Sequence, residues 1–184
     1  MARLILLNGP PGCGKSTLAQ MYVDEHPMAL NLDIDRVRSL IGGWRDAPAT
    51  AGPLARAIAL AAAQAHLASG NDVVIPQYLG RLPFLEQLDR LAAETGVDFY
   101  EIVLFDTEEN ALRRYINRSR VDTSDPAHVE KQEVLDRHGD TDELARMYDR
   151  LLNIIAVRPR VRVVETTDGE IAKAYRDFVA RLSS

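Results

Sequence analysis

Two short stretches carry residue types and spacings suited to chemistry. Residues 9 to 16 read G-P-P-G-C-G-K-S and fit the pattern G-x-x-x-x-G-K-[ST], while residues 31 to 38 read N-L-D-I-D-R-V-R. Glycines in the first stretch let the backbone turn so that successive N–H groups point at phosphate oxygens. A helix beginning at S-T-L-A-Q-M adds the positive end of its dipole. Gly9, Pro10, Pro11, Gly12, Cys13 and Gly14 then form the loop, with Lys15, Ser16 and Thr17 opening the helix. Lys15 is expected to bridge the β and γ phosphates of ATP, and Ser16 to offer its hydroxyl to Mg²⁺. Cys13 occupies a variable position of the loop and is assigned no chemistry of its own.

The second stretch supplies carboxylates. An acceptor hydroxyl is a poor nucleophile until its proton is taken, so a carboxylate beside the attack path is the group that phosphoryl transfer needs. Asp35 is the expected base. Asp33 is expected either to order magnesium or to orient Asp35, since two close carboxylates seldom do one job. The alternative makes Asp33 a helix cap and Asp35 a first-turn residue that complements the dipole.

The elements that must position these residues are legible as alternation. Short apolar runs at 3–8, 28–32, 72–76, 98–105 and 160–165 alternate with longer helical patterns, as in a parallel sheet covered by helices. Ligands collect at the carboxyl ends of strands in such sheets, where both stretches lie. Pro27 closes the first helix, Gly70 follows an Ala-rich helix in the segment 51–70, and Gly96 follows another. Asp140 with Glu143 makes a capping-box-like start for a helix running toward Val157. Asp168 can cap a last helix on which Ile171, Ala174, Tyr175, Phe178 and Leu182 share a face.

With 184 residues and 46% hydrophobic content the chain suits one domain. The net charge of −5 speaks against gripping bare nucleic acid. The single cysteine excludes an internal disulfide, and no signal-peptide pattern opens the sequence, so a cytoplasmic protein is expected. Arg56, Gln64 and His66 interrupt the longest apolar segment, which argues against a membrane span. The four histidines show no metal-ligand spacing.

Other nucleotide-handling classes fit less well. The only lysines are Lys15, Lys131 and Lys173, so a guanine-reading N-K-x-D is impossible. The third strand ends D-V-V-I-P-Q-Y, without the acid that motor and remodelling ATPases place there. The stretches L-I-L-L-N-G-P-P-G-C-G-K-S-T and L-N-L-D-I-D-R-V-R-S-L-I are similar to those of the small P-loop kinases related to chloramphenicol phosphotransferase, shikimate and gluconate kinases and the kinase domain of polynucleotide kinases. The resemblance implies a three-layer α/β fold with a five-stranded parallel sheet in the order 2-3-1-4-5 and a helical lid over ATP. It places Asp35 where these kinases carry their base, and Arg38 where they hold a substrate phosphate or carboxylate. Gln77 departs from the pattern, because relatives often end the third strand with an acid.

Arg113, Arg114, Arg118 and Arg120 fall within eight residues of a net acidic chain, in an expected lid around 113–138. Arg114 and Arg118 are four apart and share a helix face, from which both would reach ATP phosphates on closure. Pairing with Glu108, Glu109 or Asp122 on a solvated helix is the simpler alternative. On the acceptor side, Gly42 and Gly43 could let a loop press Trp44 and Arg45 against a substrate, and Gln77, Tyr78 and Arg81 should line the same cleft. The resemblance puts adenine near the loop 164–169. The expected activity is ATP-dependent phosphorylation of a hydroxyl on a small molecule. A polynucleotide 5′-hydroxyl kinase and an ATP-binding regulator without phosphotransfer are the alternatives.

Overall fold

The computed structural model describes residues 1–106, 110, 140–167 and 169–183. Strand β1 (Arg3–Asn8) is the centre of a five-stranded sheet whose order is β2-β3-β1-β4-β5. The other strands are β2 (Leu30–Asn31), β3 (Val73–Pro76), β4 (Asp98–Phe105) and β5 (Arg162–Glu165), and every pairing is parallel. Helices α1 (Lys15–Glu25), α2 (Ile34–Ser39), α3 (Pro48–Ala68), α4 (Leu82–Thr95), α5 (Asp140–Val157) and α6 (Ile171–Arg181) complete the described elements.

A strand buried on both faces has no polar side to alternate with, which is why β1 reads as a continuous apolar run. Its period-two geometry still sorts the side chains. Leu4 and Leu6 pack with α3 and α4 through Ala55, Ala59, Leu85 and Leu88. Ile5 and Leu7 pack on the other side with Leu18 and Tyr22 of α1 and Phe178 of α6. These two clusters make the three layers. Ala51, Ala55, Ala59 and Ala63 recur every fourth residue on the buried face of α3, where small side chains let the helix lie close.

Expected and observed boundaries differ where local chemistry intervenes. Strand β2 is confined to two residues, because Met28 before it has a left-handed backbone with φ 69° and Asp33 after it already caps α2. Strand β5 starts at Arg162, since Val161 N–H closes a turn onto the carbonyl of Arg158. Helix α3 starts at Pro48, ahead of the expected segment, with the ring at a position that suits a helix start. Gly96 ends α4 in the left-handed region at φ 68°, as its place in the sequence implies. On α6 the expected face is buried at Ala174, Tyr175, Phe178 and Leu182, while Ile171 is partly exposed. Glu170, with no side-chain bond, stands at its N-cap; Asp168 lies outside the described residues, as do the side chains of Asp140 and Glu143.

One ionic cluster sits inside this frame. Glu101 in the middle of β4 is 2% exposed and accepts from Arg158 Nε at 2.5 Å, while Arg158 Nη2 reaches Asp89 of α4 at 2.8 Å. Arg158 therefore fastens the end of α5 to both the sheet and α4. Burial holds the Glu101 carboxyl above the ordinary carboxylate range, with Arg158 pulling the other way. Removing one partner of such a pair strands the other charge. Arg158→Met should cost about 3–5 kcal/mol near neutral pH in urea unfolding. Part of that loss should return as pH falls through the raised Glu101 pKa, because the folded variant then takes up a proton that the unfolded chain does not yet bind.

Candidate functional site

Parallel strands bring the carboxyl ends of β1, β2 and β3 to one edge of the sheet, and the two reactive stretches both lie along that edge. The glycine loop follows β1 directly. Gly9 is buried, and a Cβ added to it would stand 2.6 Å from the Leu104 carbonyl oxygen and 2.7 Å from Cys13 Sγ. Only glycine lets the loop pass so near β4. Gly14, with φ 95°, turns the chain into α1, whose first residue is Lys15. Ser16 and Thr17 are exposed in that first turn. The Lys15 ammonium donates to the Pro10 carbonyl at 2.7 Å and lies 3.7 Å from Cys13 Sγ, so it is folded across the mouth of its own loop. Cys13 itself is buried and packs in the apolar layer beneath α1.

Beside the loop, Asp33 is the N-cap of α2: its Oδ1 accepts from the N–H of Asp35 at 2.9 Å and of Arg36 at 3.4 Å. The capping alternative for Asp33 is thus realised. Capping also aims the next turn, in which Asp35 Oδ1 and Arg38 Nη2 approach to 3.5 Å with both side chains largely covered. Arg38 then lies over the Trp44 ring at 5.0 Å from its centroid, and Arg45 over the same ring at 4.5 Å. Stacking against an indole holds a guanidinium without consuming its N–H donors. Residues 39–46 line an adjoining depression of 450 Å³. Trp44 itself is buried, with both guanidiniums over its ring.

The residues after β3 separate in role. Gln77 N–H extends the sheet by donating to the Leu7 carbonyl, and its side-chain Oε1 is buried with no hydrogen-bond partner among the described residues. Tyr78 donates its hydroxyl to the Met147 carbonyl at 3.1 Å and thereby ties this loop to α5. Arg81 stands exposed at the N-cap of α4. Arg113, Arg114, Arg118 and Arg120, with the whole expected lid, lie outside the described residues. Thr166, at the expected adenine loop, is buried and its N–H donates to the Phe105 carbonyl at 2.8 Å.

Sequence reading passed over Asn8. It is fully buried and bonds both the glycine loop and the loop after β3. The available signal was a lone carboxamide ending an otherwise apolar run, directly before the first glycine.

A family model described as an AAA domain, AAA_33, matches residues 4–144. The chain belongs to the AAA_33 family. This AAA_33 chain is similar in structure to a gluconokinase from Sinorhizobium meliloti 1021, at 18% identity and a TM-score of 0.64 over 97% of this chain and 90% of that one. It is similar also to a tunicamycin resistance protein from Deinococcus radiodurans, at 16% identity and a TM-score of 0.62 over 99% and 96%. At such identities the likeness is one of fold, and that fold is the three-layer P-loop arrangement with strand order 2-3-1-4-5. No curated protein sequence matches the chain. Among the described residues no helix is long and apolar enough to cross a membrane.

The residues present suit a hydrated Mg²⁺. Ser16 contributes an exposed hydroxyl, the Asp33 carboxylate stands at the end of β2, and the buried Gln77 Oε1 is an acceptor with no hydrogen-bond partner among the described residues. The steric demand set by backbone falls on the loop itself. Gly9→Ala should destabilise the protein by about 1–3 kcal/mol in denaturant unfolding, since the new methyl meets a backbone carbonyl rather than a yielding side chain.

Proposed function

We propose that this protein is a kinase that moves the γ-phosphate of ATP onto a hydroxyl of a small-molecule acceptor. The observation that carries the reading is the pairing of Asp35 with Arg38 at the carboxyl end of β2, on the same sheet edge as the glycine loop. Membership of the AAA_33 family and the fold of the gluconokinase support it.

In this mechanism the triphosphate lies against the N–H groups of residues 12–16, and Lys15 leaves the Pro10 carbonyl to meet the β and γ oxygens. Magnesium, when bound, spreads phosphate charge and orders the γ-phosphoryl group. Ser16 would hold it, with Asp33 and Gln77 acting through its waters. Asp35 accepts the proton of the acceptor hydroxyl as that oxygen bonds to the γ-phosphorus, and the bond from phosphorus to the β–γ bridging oxygen breaks. ADP leaves with the bond's electron pair, and the proton rests on Asp35 until solvent removes it. Arg38 holds the Asp35 carboxylate in place, and Arg114 and Arg118 are proposed to neutralise the transferring group.

Arg38 and Arg45, both over the Trp44 ring, favour an acceptor that carries an anionic group beside its hydroxyl. Trp44, Gln77, Tyr78 and Arg81 are the proposed surround. The Asp35–Arg38 pair also suits a 5′-hydroxyl on an oligonucleotide, a reading disfavoured by the net charge of −5.

Radiolabelled ATP offered with a panel of hydroxylated metabolites, antibiotics and a 5′-hydroxyl oligonucleotide tests the proposal. Label on a small molecule supports it, and label on the oligonucleotide alone moves the reading to the polynucleotide class. Asp35→Asn should lower kcat by about 10²–10⁴-fold while fluorescent ATP analogues still bind. Undiminished transfer by that variant would remove Asp35 from the mechanism. If no acceptor is labelled although ATP binds, a nucleotide-sensing role takes its place.

A further inference from the structure

Strand β1 ends on a side chain that the mechanism above does not use. Asn8 is 0% exposed, and both its carboxamide oxygen and its nitrogen bond backbone. Oδ1 accepts from Gly9 N–H at 2.8 Å and from Leu79 N–H at 2.8 Å, and Nδ2 donates to the Leu79 carbonyl at 3.0 Å. One amide group thus holds the first N–H of the glycine loop together with both backbone polar groups of a residue seventy-one positions away. Asparagine alone fits these demands: aspartate keeps the acceptor but lacks the donor, and leucine of similar size lacks both.

Leu79 belongs to the loop that carries Gln77, Tyr78 and Arg81. Tyr78, its neighbour, continues the connection into α5 through Met147. A phosphate drawn into the glycine loop engages N–H groups further along it and shifts the backbone that starts at Gly9, whose own N–H is held by Asn8. The carboxamide has no room to absorb a shift, because it is buried and each of its contacts is short. Two N–H groups share one oxygen, so any change at Gly9 is felt at Leu79.

We infer that Asn8 is a positioning residue that couples phosphate occupancy of the glycine loop to the geometry of the acceptor-side loop, residues 77–81. The inference rests on the nucleotide reading above. It requires reciprocity: whatever acceptor binding does to residues 77–81 returns to the phosphate loop as an equal change in nucleotide affinity.

Hydrogen exchange resolved to single amides tests it, with Mg·ADP as the probe. In the native protein, ADP at about 100 times its Kd should slow exchange at both Gly9 and Leu79 by roughly tenfold or more. In Asn8→Leu the nucleotide should still slow amides of the glycine loop but leave Leu79 unmoved. Asn8→Asp, which keeps the shared oxygen, should retain the response at Leu79. A packing role alone would lower the stability of both variants without touching that response. The inference is overturned if Leu79 ignores nucleotide in the native protein, if Asn8→Leu keeps the response, or if both variants behave alike. Should a variant not fold, the native comparison still decides. No response at any loop amide would instead overturn the nucleotide reading, and this inference with it.

Discussion

A glycine-rich loop is mostly backbone, so its shape is imposed largely by what it touches. Here the imposing contact is the passage of Gly9 against the Leu104 carbonyl of β4, which leaves no space for even a methyl group. The neighbouring strands fix that contact: β1 is paired along its length with β4 on one side and with β3 on the other. The apolar layers on both faces of β1 are therefore functional as well as structural, since the loop inherits its position from them. Asn8 extends the same constraint to the far side of β3.

Around the cradle, charge is concentrated against the overall sign of the protein. Arg38 and Arg45 share the Trp44 ring, and Lys15 sits at the loop mouth. Of the acidic groups on this edge, Asp33 caps α2 and Asp35 pairs with Arg38. Away from the site the charged groups tie layers together, as Arg158 does with Glu101 and Asp89, and as the Tyr175 hydroxyl does with Glu25 of α1. Burial, with Glu25 beside it, pushes that phenol up to about 12.

Much of this was legible because it is written in local pattern. Strands β1 and β4 coincide with their apolar runs, and the glycine spacing alone placed the turn into α1. Strand β2 was overestimated because apolar residues at 28–32 say nothing of the left-handed turn at Met28. The two roles of Asp33 could not be separated in advance, since a cap and a ligand need the same side chain at the same place. The shared indole between Arg38 and Arg45 depends on how the chain folds back after α2, and the unsatisfied oxygen of Gln77 depends on what β1 and β3 leave uncovered. Asn8 was hidden for the same reason: its partner at Leu79 is distant in sequence and meets it only through the β1–β3 register.

The connection between α2 and α3 has a different standing from everything around it. Residues 39–46 line the depression that follows α2, yet none of them belongs to the buried members of either apolar layer; Trp44 lies under the guanidiniums of Arg38 and Arg45, and Ile41 only leans on the core. Its sequence can therefore drift at little thermodynamic cost while the sheet and the glycine turn stay untouched. On the kinase reading, rewriting that single short segment would leave the core intact, which makes it the place to start when selecting for new acceptors in the laboratory.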